Sequence, residues 1–404
     1  MITKENKKPC IGIDVSKGES HFQEFKSPGN PISLPRKILH NKEGFELLLQ
    51  RVKDLERETN NNAVIVFENT GTYSKPVEHF CIRNKITYYC IPPLLSAKTR
   101  KSLIRPTKTD LIDCETIANT YFIHHLNASK PNSNLGNKLK TLCSYYSFKS
   151  HAQAKTKIKF REILDQVYPR IDCYFDIYSE CFLSLISKYP NPYKLKRKSA
   201  KEIADFFLGI NYCGKTKASN YAILLKEYFK EVDIPVEEDD ELINILSSII
   251  KNLIDVIKEN DLMLDQIINL GMKTEEYKYL ISIPGFQKNT AARVSAEIQG
   301  IDRFINSSKF VAYMGLDPTV NSSGKDLGLH LPITKKGNKR LRCLIYLVVV
   351  GTCKSTLQYN PIRDFVNKKK SDGLSPMAAY IAGCNKLARI IFACCSKREF
   401  FATK

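Results

Sequence analysis

The feature that most restricts the fold is a set of short apolar runs, separated by a helical pattern, in the first quarter of the chain. Residues 9–25 predict two strands around a Ser-Lys-Gly turn, and residues 63–68 and 86–91 predict two more strands. Between them, residues 42–57 carry apolar side chains at helical spacing. Alternating strands and helices of this kind predict an α/β sheet that is covered on both faces.

Helical patterns dominate the rest of the chain, and the most regular one spans residues 242–270. Its apolar side chains recur at alternating steps of four and three residues, which is typical of a coiled coil. The one polar seam residue, Asn260, falls on an a position, where a buried Asn can fix register and strand number. The seam consists of Leu242, Leu246, Ile249, Leu253, Val256, Asn260, Met263, Ile267 and Leu270.

The sequence leaves two partners open for this seam. A second copy of the chain would form an intermolecular coiled coil with it, and this is the arrangement we expect. Isoleucines beside the seam, such as Ile243, Ile250 and Ile257, widen the apolar surface beyond what two helices need. Burial inside a helical bundle of the same chain is therefore the alternative.

Charge indicates the kind of partner. The chain has 62 Lys and Arg against 42 Asp and Glu, a net charge of +20, which favours a polyanion such as nucleic acid. Residues 273–404 alone hold 22 basic and 9 acidic residues. Residues 138–161 interleave seven basic residues with Tyr145, Tyr146, Phe148 and Phe160, a pattern that fits either a solvated helix face or a nucleic-acid contact surface.

The cysteines and apolar runs indicate the compartment. The 13 cysteines are odd in number and scattered, with no C-x-x-C spacing, which is typical of a reduced intracellular protein without structural zinc. The first residues lack a signal-type apolar core, and the longest apolar run, 343–353, is too short to cross a bilayer. We expect a cytoplasmic protein without a membrane partner.

Four carboxylates are candidates for chemistry. Asp14 and Glu68 each end a predicted strand, so both should emerge at the carboxyl edge of one sheet. Asp110 and Asp113 lie three residues apart at the start of a helical pattern and face the same way. Helix capping and dipole effects would explain that pair if it stood alone. All four together, in a basic protein, predict a site for Mg²⁺, with two ions about 3.5–4 Å apart as phosphoryl transfer requires.

A second candidate region spans residues 320–342. Ser322 and Ser323 precede Gly324 in a polar loop, and a serine beside basic residues could attack a phosphodiester as a covalent nucleophile. A simple turn is the alternative for this S-S-G pattern. The basic side chains that we expect to bind nucleic acid are Lys325, Lys335, Lys336, Lys339, Arg340 and Arg342.

Seven motifs in order carry a family resemblance. They are GIDVSK, VFENTGTY, KTDLID, SIPGF, YMGLDP, SSG and TKKGNKRLR, and together they span both ends of the chain. In this respect the sequence resembles the transposases of the insertion-sequence 110 family, the DEDD transposases related to Piv-type DNA invertases. The SIPGF segment looks like a helix-hairpin-helix that grips DNA phosphate, but Gln287 replaces its usual second glycine, so a structural turn is equally compatible.

The resemblance implies an architecture in three parts. Residues 1–135 would form a RuvC-like ribonuclease H fold, residues 136–272 a helical linker with the coiled coil, and residues 273–404 a mainly helical transposase domain. The Asp, Glu, Asp, Asp tetrad of the family matches Asp14, Glu68, Asp110 and Asp113, and its nucleophilic serine matches Ser323.

The resemblance also implies the partners and the reaction. Such enzymes cut and rejoin donor and target DNA at sites chosen by a structured noncoding bridge RNA. They assemble as dimers that join into tetramers, and a nucleoid-associated location would follow.

Three other functions compete with this one. A junction-resolving nuclease of RuvC type would need the carboxylates and the metal but no serine. A nucleic-acid-binding protein with a decayed catalytic site is disfavoured by the intact tetrad. An actin-like kinase is disfavoured because Ser16 stands where its phosphate loop requires glycine.

Overall fold

The computed structural model describes residues 7–101, 110–129, 133–210, 213–319, 332–354 and 360–402, and for residues 110–112 it describes the backbone. The chain forms two compact units, Met1–Pro131 and Asn132–Lys404.

The first unit is built on one mixed sheet of six strands. The strands are β1 (Cys10–Val15), β2 (Glu19–Ser27), β3 (Asn30–Pro31), β4 (Arg36–Leu39), β5 (Val64–Glu68) and β6 (Tyr88–Ile91). Their order is β3-β2-β1-β5-β6, and β4 also pairs with β2. β1 is antiparallel to β2 and parallel to β5, which in turn is parallel to β6. This ribonuclease H-like arrangement confirms the predicted α/β fold.

Helices cover both faces of this sheet. They are α1 (Lys42–Thr59), α2 (Lys75–Arg83), α3 (Pro93–Lys101) and α4 (Asp110–Ile123). Successive strand residues point to opposite faces, so Ile11 and Ile13 pack with side chains of α1 and α2, whereas Cys10 packs with Ile117 and Tyr121 of α4. Both faces of the central strands are therefore buried, which explains why those strands read as nearly continuous apolar runs.

Apart from one isolated antiparallel bridge, between Pro318 and Ile333, the second unit is helical in its described residues. Its long helices are α5 (Asn134–Val167) and α10 (Glu241–Gly271). Between them lie α6 (Glu180–Lys188), α7 (Pro192–Lys196), α8 (Ala200–Leu208) and α9 (Lys215–Glu231). After them come α11 (Glu275–Ser282), α12 (Lys288–Ile298), α13 (Ser307–Met314), α14 (Lys339–Lys354), α15 (Pro361–Ser371) and α16 (Pro376–Lys397).

Two hydrophobic cores stabilise this unit. One joins α6, α8 and α9 to the second half of α5 and the first half of α10. The other core consists of residues from the six helices α11 through α16 and from the opposite ends of α5 and α10. Among the described residues α16 is the helix that could cross a membrane by length and composition, but seven of its side chains are buried in the second core.

The heptad seam of α10 packs against α5 of the same chain, antiparallel to it. Leu246, Leu253, Asn260 and Ile267, which recur every seven residues, are all buried. Asn260 Nδ2 donates to Gln153 Oε1 of α5 at 2.7 Å, and Lys149 of α5 pairs with Glu259. These contacts favour the bundle alternative, because α5 covers the buried positions of the seam, and a second chain on its half-buried positions stays a prediction.

The Pro-Gly turn between α11 and α12 is packed against α14. Gly285 has a φ of +94°, and a Cβ there would meet Thr352 Oγ1 at 1.6 Å. The Thr352 hydroxyl also donates to the Pro284 carbonyl at 3.2 Å. These contacts favour the structural interpretation of the turn over phosphate gripping.

Candidate active site

The carboxyl edge of the sheet brings two of the predicted residues together. Ile13 of β1 is in register with Phe67 of β5, so Asp14 and Glu68 follow side by side on neighbouring parallel strands. The residues just before them, Ile13 and Phe67, pack toward α1 and α2. Because successive strand residues point to opposite faces of the sheet, Asp14 and Glu68 lie on the face that α4 covers. Each is half-buried.

A glycine allows α4 to approach this edge closely. A Cβ on Gly12 would stand 2.5 Å from the carbonyl oxygen of Cys114 and 3.3 Å from Ala118 Cβ. At the other end of α4, Lys7 Nζ donates to the carbonyls of Tyr121 and His124, just before β1 begins. The helix thus runs opposite to β1, and its first turn lies at the same edge as Asp14.

This first turn contains the other two predicted carboxylates. Asp113 is buried, with 6% of its surface exposed. Asp110 is the first residue of α4, but its side chain lies outside the described residues. The backbone therefore brings all four positions to one edge of the sheet, and the side chains of three of them are described.

Two residues of α3 that sequence reasoning missed contact these carboxylates. Ser96 Oγ donates to Glu68 Oε2 at 2.5 Å and lies 3.0 Å from the Pro93 carbonyl oxygen. Arg100 donates through one terminal guanidinium nitrogen to Asp113 Oδ1, also at 2.5 Å. The spacing of four residues puts both side chains on one face of α3, and this spacing is the only signal that could have found them.

The chemistry of these donors fits a hard divalent cation. Carboxylate oxygens are the ligands that Mg²⁺ binds, and a buried carboxylate such as Asp113 needs a compensating positive charge. Within the described part of the chain, no three Asp, Glu, His or Cys side chains are close enough to hold a metal ion. Asp14, Glu68, Asp110 and Asp113 therefore remain predicted metal ligands.

The predicted serine lies in a segment whose two ends are held together. Ser323 and Lys325 fall outside the described residues, as does Ser322. Pro318 and Ile333 form an isolated antiparallel bridge, and Thr319 N donates to the Pro332 carbonyl at 2.9 Å. One step further, the Thr334 hydroxyl donates to Asp317 Oδ1 at 2.8 Å. A short antiparallel bridge thus joins the described residues on either side of positions 320–331.

The basic residues after this bridge divide into two groups. Lys335, Lys336 and Lys339 are exposed. Arg340 donates to Ser144 Oγ at 2.8 Å, and Arg342 donates to the Met314 carbonyl at 2.6 Å. The first three can meet a phosphate without breaking a hydrogen bond or ion pair to the described residues, whereas the Arg342 side chain stabilises the fold of the protein itself.

A buried carboxylate fixes the start of α14 beneath these residues. Glu297, 2% exposed, accepts from Asn338 Nδ2 at 2.8 Å, and Asn338 Oδ1 caps the helix by accepting from Leu341 N at 3.0 Å. Sequence reasoning did not single out Glu297 or Asn338, because a buried glutamate on α12 carries no local pattern that distinguishes it.

The basic stretch of α5 presents two aromatic rings to solvent. Tyr145 and Phe148 are 51% and 67% exposed and stack on each other with centroids 6.1 Å apart. Phe160 is fully buried, and Tyr146 lies beneath the Arg293 guanidinium. Only part of the predicted surface is thus available to a ligand.

Comparison with known proteins gives two family matches. Residues 11–169 match the DEDD transposase domain of the IS110 family, described as a transposase, and residues 277–366 match the family described as Transposase IS116/IS110/IS902. No curated protein matches the chain. The matched regions together cover more than half of the sequence and include both the carboxylate edge and residues 320–331.

Proposed function

Because the chain belongs to the IS110 family of transposases, enzymes that cut DNA and transfer its strands, we propose that it inserts and excises a DNA element at sites chosen by a bridge RNA. The observation that carries this proposal is the register of β1 and β5. It sets Asp14 beside Glu68 at the edge that the first turn of α4 reaches.

Asp14, Glu68, Asp110 and Asp113 would hold divalent metal, most simply two Mg²⁺ ions. When bound, Mg²⁺ neutralises the charge on the reacting phosphodiester and lowers the pKa of an attacking oxygen. The protein itself fixes the positions and orientations of these carboxylates. β1 and β5 fix Asp14 and Glu68, the close packing at Gly12 fixes α4, and the Ser96 hydroxyl orients Glu68.

Ser323 would be the nucleophile. Its Oγ forms an ester bond to phosphorus, the bond from phosphorus to one strand oxygen breaks, and that oxygen leaves with a proton. A strand hydroxyl then attacks the same phosphorus and releases the serine. Ser323 is favoured over Ser322 because it precedes Gly324, whose missing side chain leaves room for a phosphodiester, and because it matches the family serine.

The charge and the exposed rings support nucleic-acid partners. The net charge of +20, the exposed Lys335, Lys336 and Lys339, and the stacked pair Tyr145 and Phe148 suit phosphates and unpaired bases. We assign both DNA and the bridge RNA to these surfaces. A dimer that pairs into a tetramer would bring Ser323 of one protomer to the carboxylates of another, in a cytoplasmic, nucleoid-associated complex.

Trapping of covalent protein–DNA adducts tests the proposal. Ser323→Ala should abolish adducts while DNA binding persists, and the matched control Ser322→Ala should retain them. Asp14→Ala should also abolish adducts, and mixing it with Ser323→Ala should restore partial activity if the sites are composite. Strand transfer by Ser323→Ala alone would exclude the serine mechanism and leave a water-driven, junction-resolving nuclease as the better account.

A further inference from the structure

The contact between α3 and Asp113 carries an inference that rests on the proposed function. Arg100 is the penultimate residue of α3, and its guanidinium donates to Asp113 Oδ1. The two side chains are 24% and 9% exposed, so the pair is largely removed from water. In this state Arg100 supplies positive charge that the buried carboxylate needs.

The pairing leaves the guanidinium only partly satisfied. Arg100 Nε is buried and has no hydrogen-bond partner among the described residues. An arginine with a permanent structural role usually uses several of its five N–H donors in hydrogen bonds, which its planar guanidinium holds in a fixed geometry. Here the guanidinium donates to one oxygen of a predicted metal ligand, and it does so from the last turn of a nine-residue helix, where local opening costs little.

A divalent cation and this guanidinium compete for the same carboxylate. The N–H of Arg100 occupies one lone-pair direction of Asp113 Oδ1 and so leaves fewer of them for a metal ion. The two positive centres would also stand within a few ångströms of each other, where their repulsion is strong in a partly buried site. We propose that Arg100 is a resident counter-ion of the carboxylate site, which a divalent cation must displace from Asp113 in order to bind.

A second role for Arg100 makes the opposite prediction. If Arg100 stayed on Asp113 and oriented it toward the metal, its loss would weaken metal binding by about 10–100-fold, as is usual for outer partners of metal ligands. If Arg100 is displaced, its loss removes a competitor, so the affinity for metal rises. The sign of the change therefore distinguishes a counter-ion from an orienting residue.

The experiment measures Mn²⁺ binding to the full chain by electron paramagnetic resonance, with no nucleic acid present. Arg100→Gln should bind Mn²⁺ at least about tenfold more tightly than the parent protein, because the ion no longer has to break the charge-assisted hydrogen bond between Arg100 and Asp113. The matched control is Lys98→Gln, which removes the same charge from the exposed face of the same helix. Screening by solvent should leave its affinity nearly unchanged.

Thermal unfolding supplies a second readout. In EDTA, Arg100→Gln should unfold at a lower temperature than the parent, because Asp113 loses its cation, and added Mn²⁺ should raise its unfolding temperature more than that of the parent. If Arg100→Gln fails to fold, Arg100→Lys keeps the charge but loses the planar fork. Its Mn²⁺ affinity should rise by a smaller factor than that of Arg100→Gln.

The outcomes separate this inference from the function on which it rests. Equal or weaker Mn²⁺ binding by the Arg100 variants, with normal binding by the parent and none by Asp14→Asn, would overturn the counter-ion role alone. A parent protein that binds no Mn²⁺, or Asp14→Asn binding it as well as the parent, would overturn the metal site and the counter-ion together.

Discussion

Gly12 of β1 lies against the carbonyl of Cys114 in α4 so closely that a Cβ at position 12 would stand 2.5 Å from that oxygen. This contact brings the first turn of α4, with Asp110 and Asp113, to the strand ends that carry Asp14 and Glu68. One missing side chain therefore sets the spacing between two halves of the predicted tetrad.

Replacing this glycine should damage both stability and the site. Gly12→Ala should lower the free energy of unfolding by about 1–3 kcal/mol, because α4 must shift to admit the methyl group. DNA cleavage should fall with it. Gly351→Ala is the matched control, since nothing lies within 4 Å of its added Cβ and α14 is a regular helix there. That change should stabilise by about 0.5–1 kcal/mol. Equal effects of the two substitutions in urea denaturation would contradict the assigned packing.

The seam of α10 offers a contrast between buried and exposed positions. Leu253→Asp should cost about 4 kcal/mol or more, because it buries an unpaired charge beneath α5. Leu262→Asp, at a position 67% exposed on the same helix, should be nearly neutral. Light scattering and urea denaturation distinguish the two arrangements. A Leu253→Asp protein that stays folded but has a smaller mass would show that this seam packs against a second chain.

Asn260 should be replaceable with a gain in stability. Its Oδ1 is buried without a hydrogen-bond partner in the described part of the chain, while Nδ2 donates to Gln153, which is itself half-buried and can reach water. Asn260→Leu should raise the free energy of unfolding by about 1 kcal/mol. A loss of stability in thermal unfolding would show that the bond to Gln153 outweighs the unpaired oxygen.

Salt dependence should distinguish the roles of the basic residues that follow the predicted serine. The slope of log K against log salt becomes shallower by about 0.9 for each duplex phosphate that the protein no longer neutralises. Lys336→Gln or Lys339→Gln should produce such a change with the fold intact. Arg342→Gln should instead lower the unfolding temperature, because its guanidinium holds the Met314 carbonyl. A flat salt response of the parent protein would mean that the charge serves only solubility.

Thiol reactivity should follow burial. Desolvation raises the pKa of Cys143 and of Cys384 to about 12, and that of Cys90, also raised by Glu78, to about 11, so these thiols stay protonated at neutral pH. Cys173 and Cys343 are the exposed cysteines of the described residues. At a pH of about 7.5, which lies far below those raised pKa values, iodoacetamide should modify Cys173 and Cys343 first. Rapid alkylation of Cys143 in the folded protein, seen by peptide mass spectrometry, would contradict its burial.

Local patterns were enough to identify the elements that carry the site. The apolar runs before Asp14 and Glu68 predicted β1 and β5 because strands buried on both faces need nearly continuous apolar sequence. The helical spacing at residues 42–57 likewise predicted α1, and the heptad pattern predicted α10 as one long helix. The proposed division of the second unit at residue 272 stays a prediction.

The sequence by itself therefore determined the strands β1, β2, β5 and β6 and the helices α1 and α10, and it placed two carboxylates at the carboxyl edge of one sheet, because period and burial are local properties. Only the tertiary structure decided which surfaces meet. Arg100 reaches Asp113 across 13 residues, Ser96 reaches Glu68 across 28, and Asn260 meets Gln153 across 107. An apolar or charged face has many possible partners of similar chemistry, and the choice among them depends on how whole elements pack around a common core.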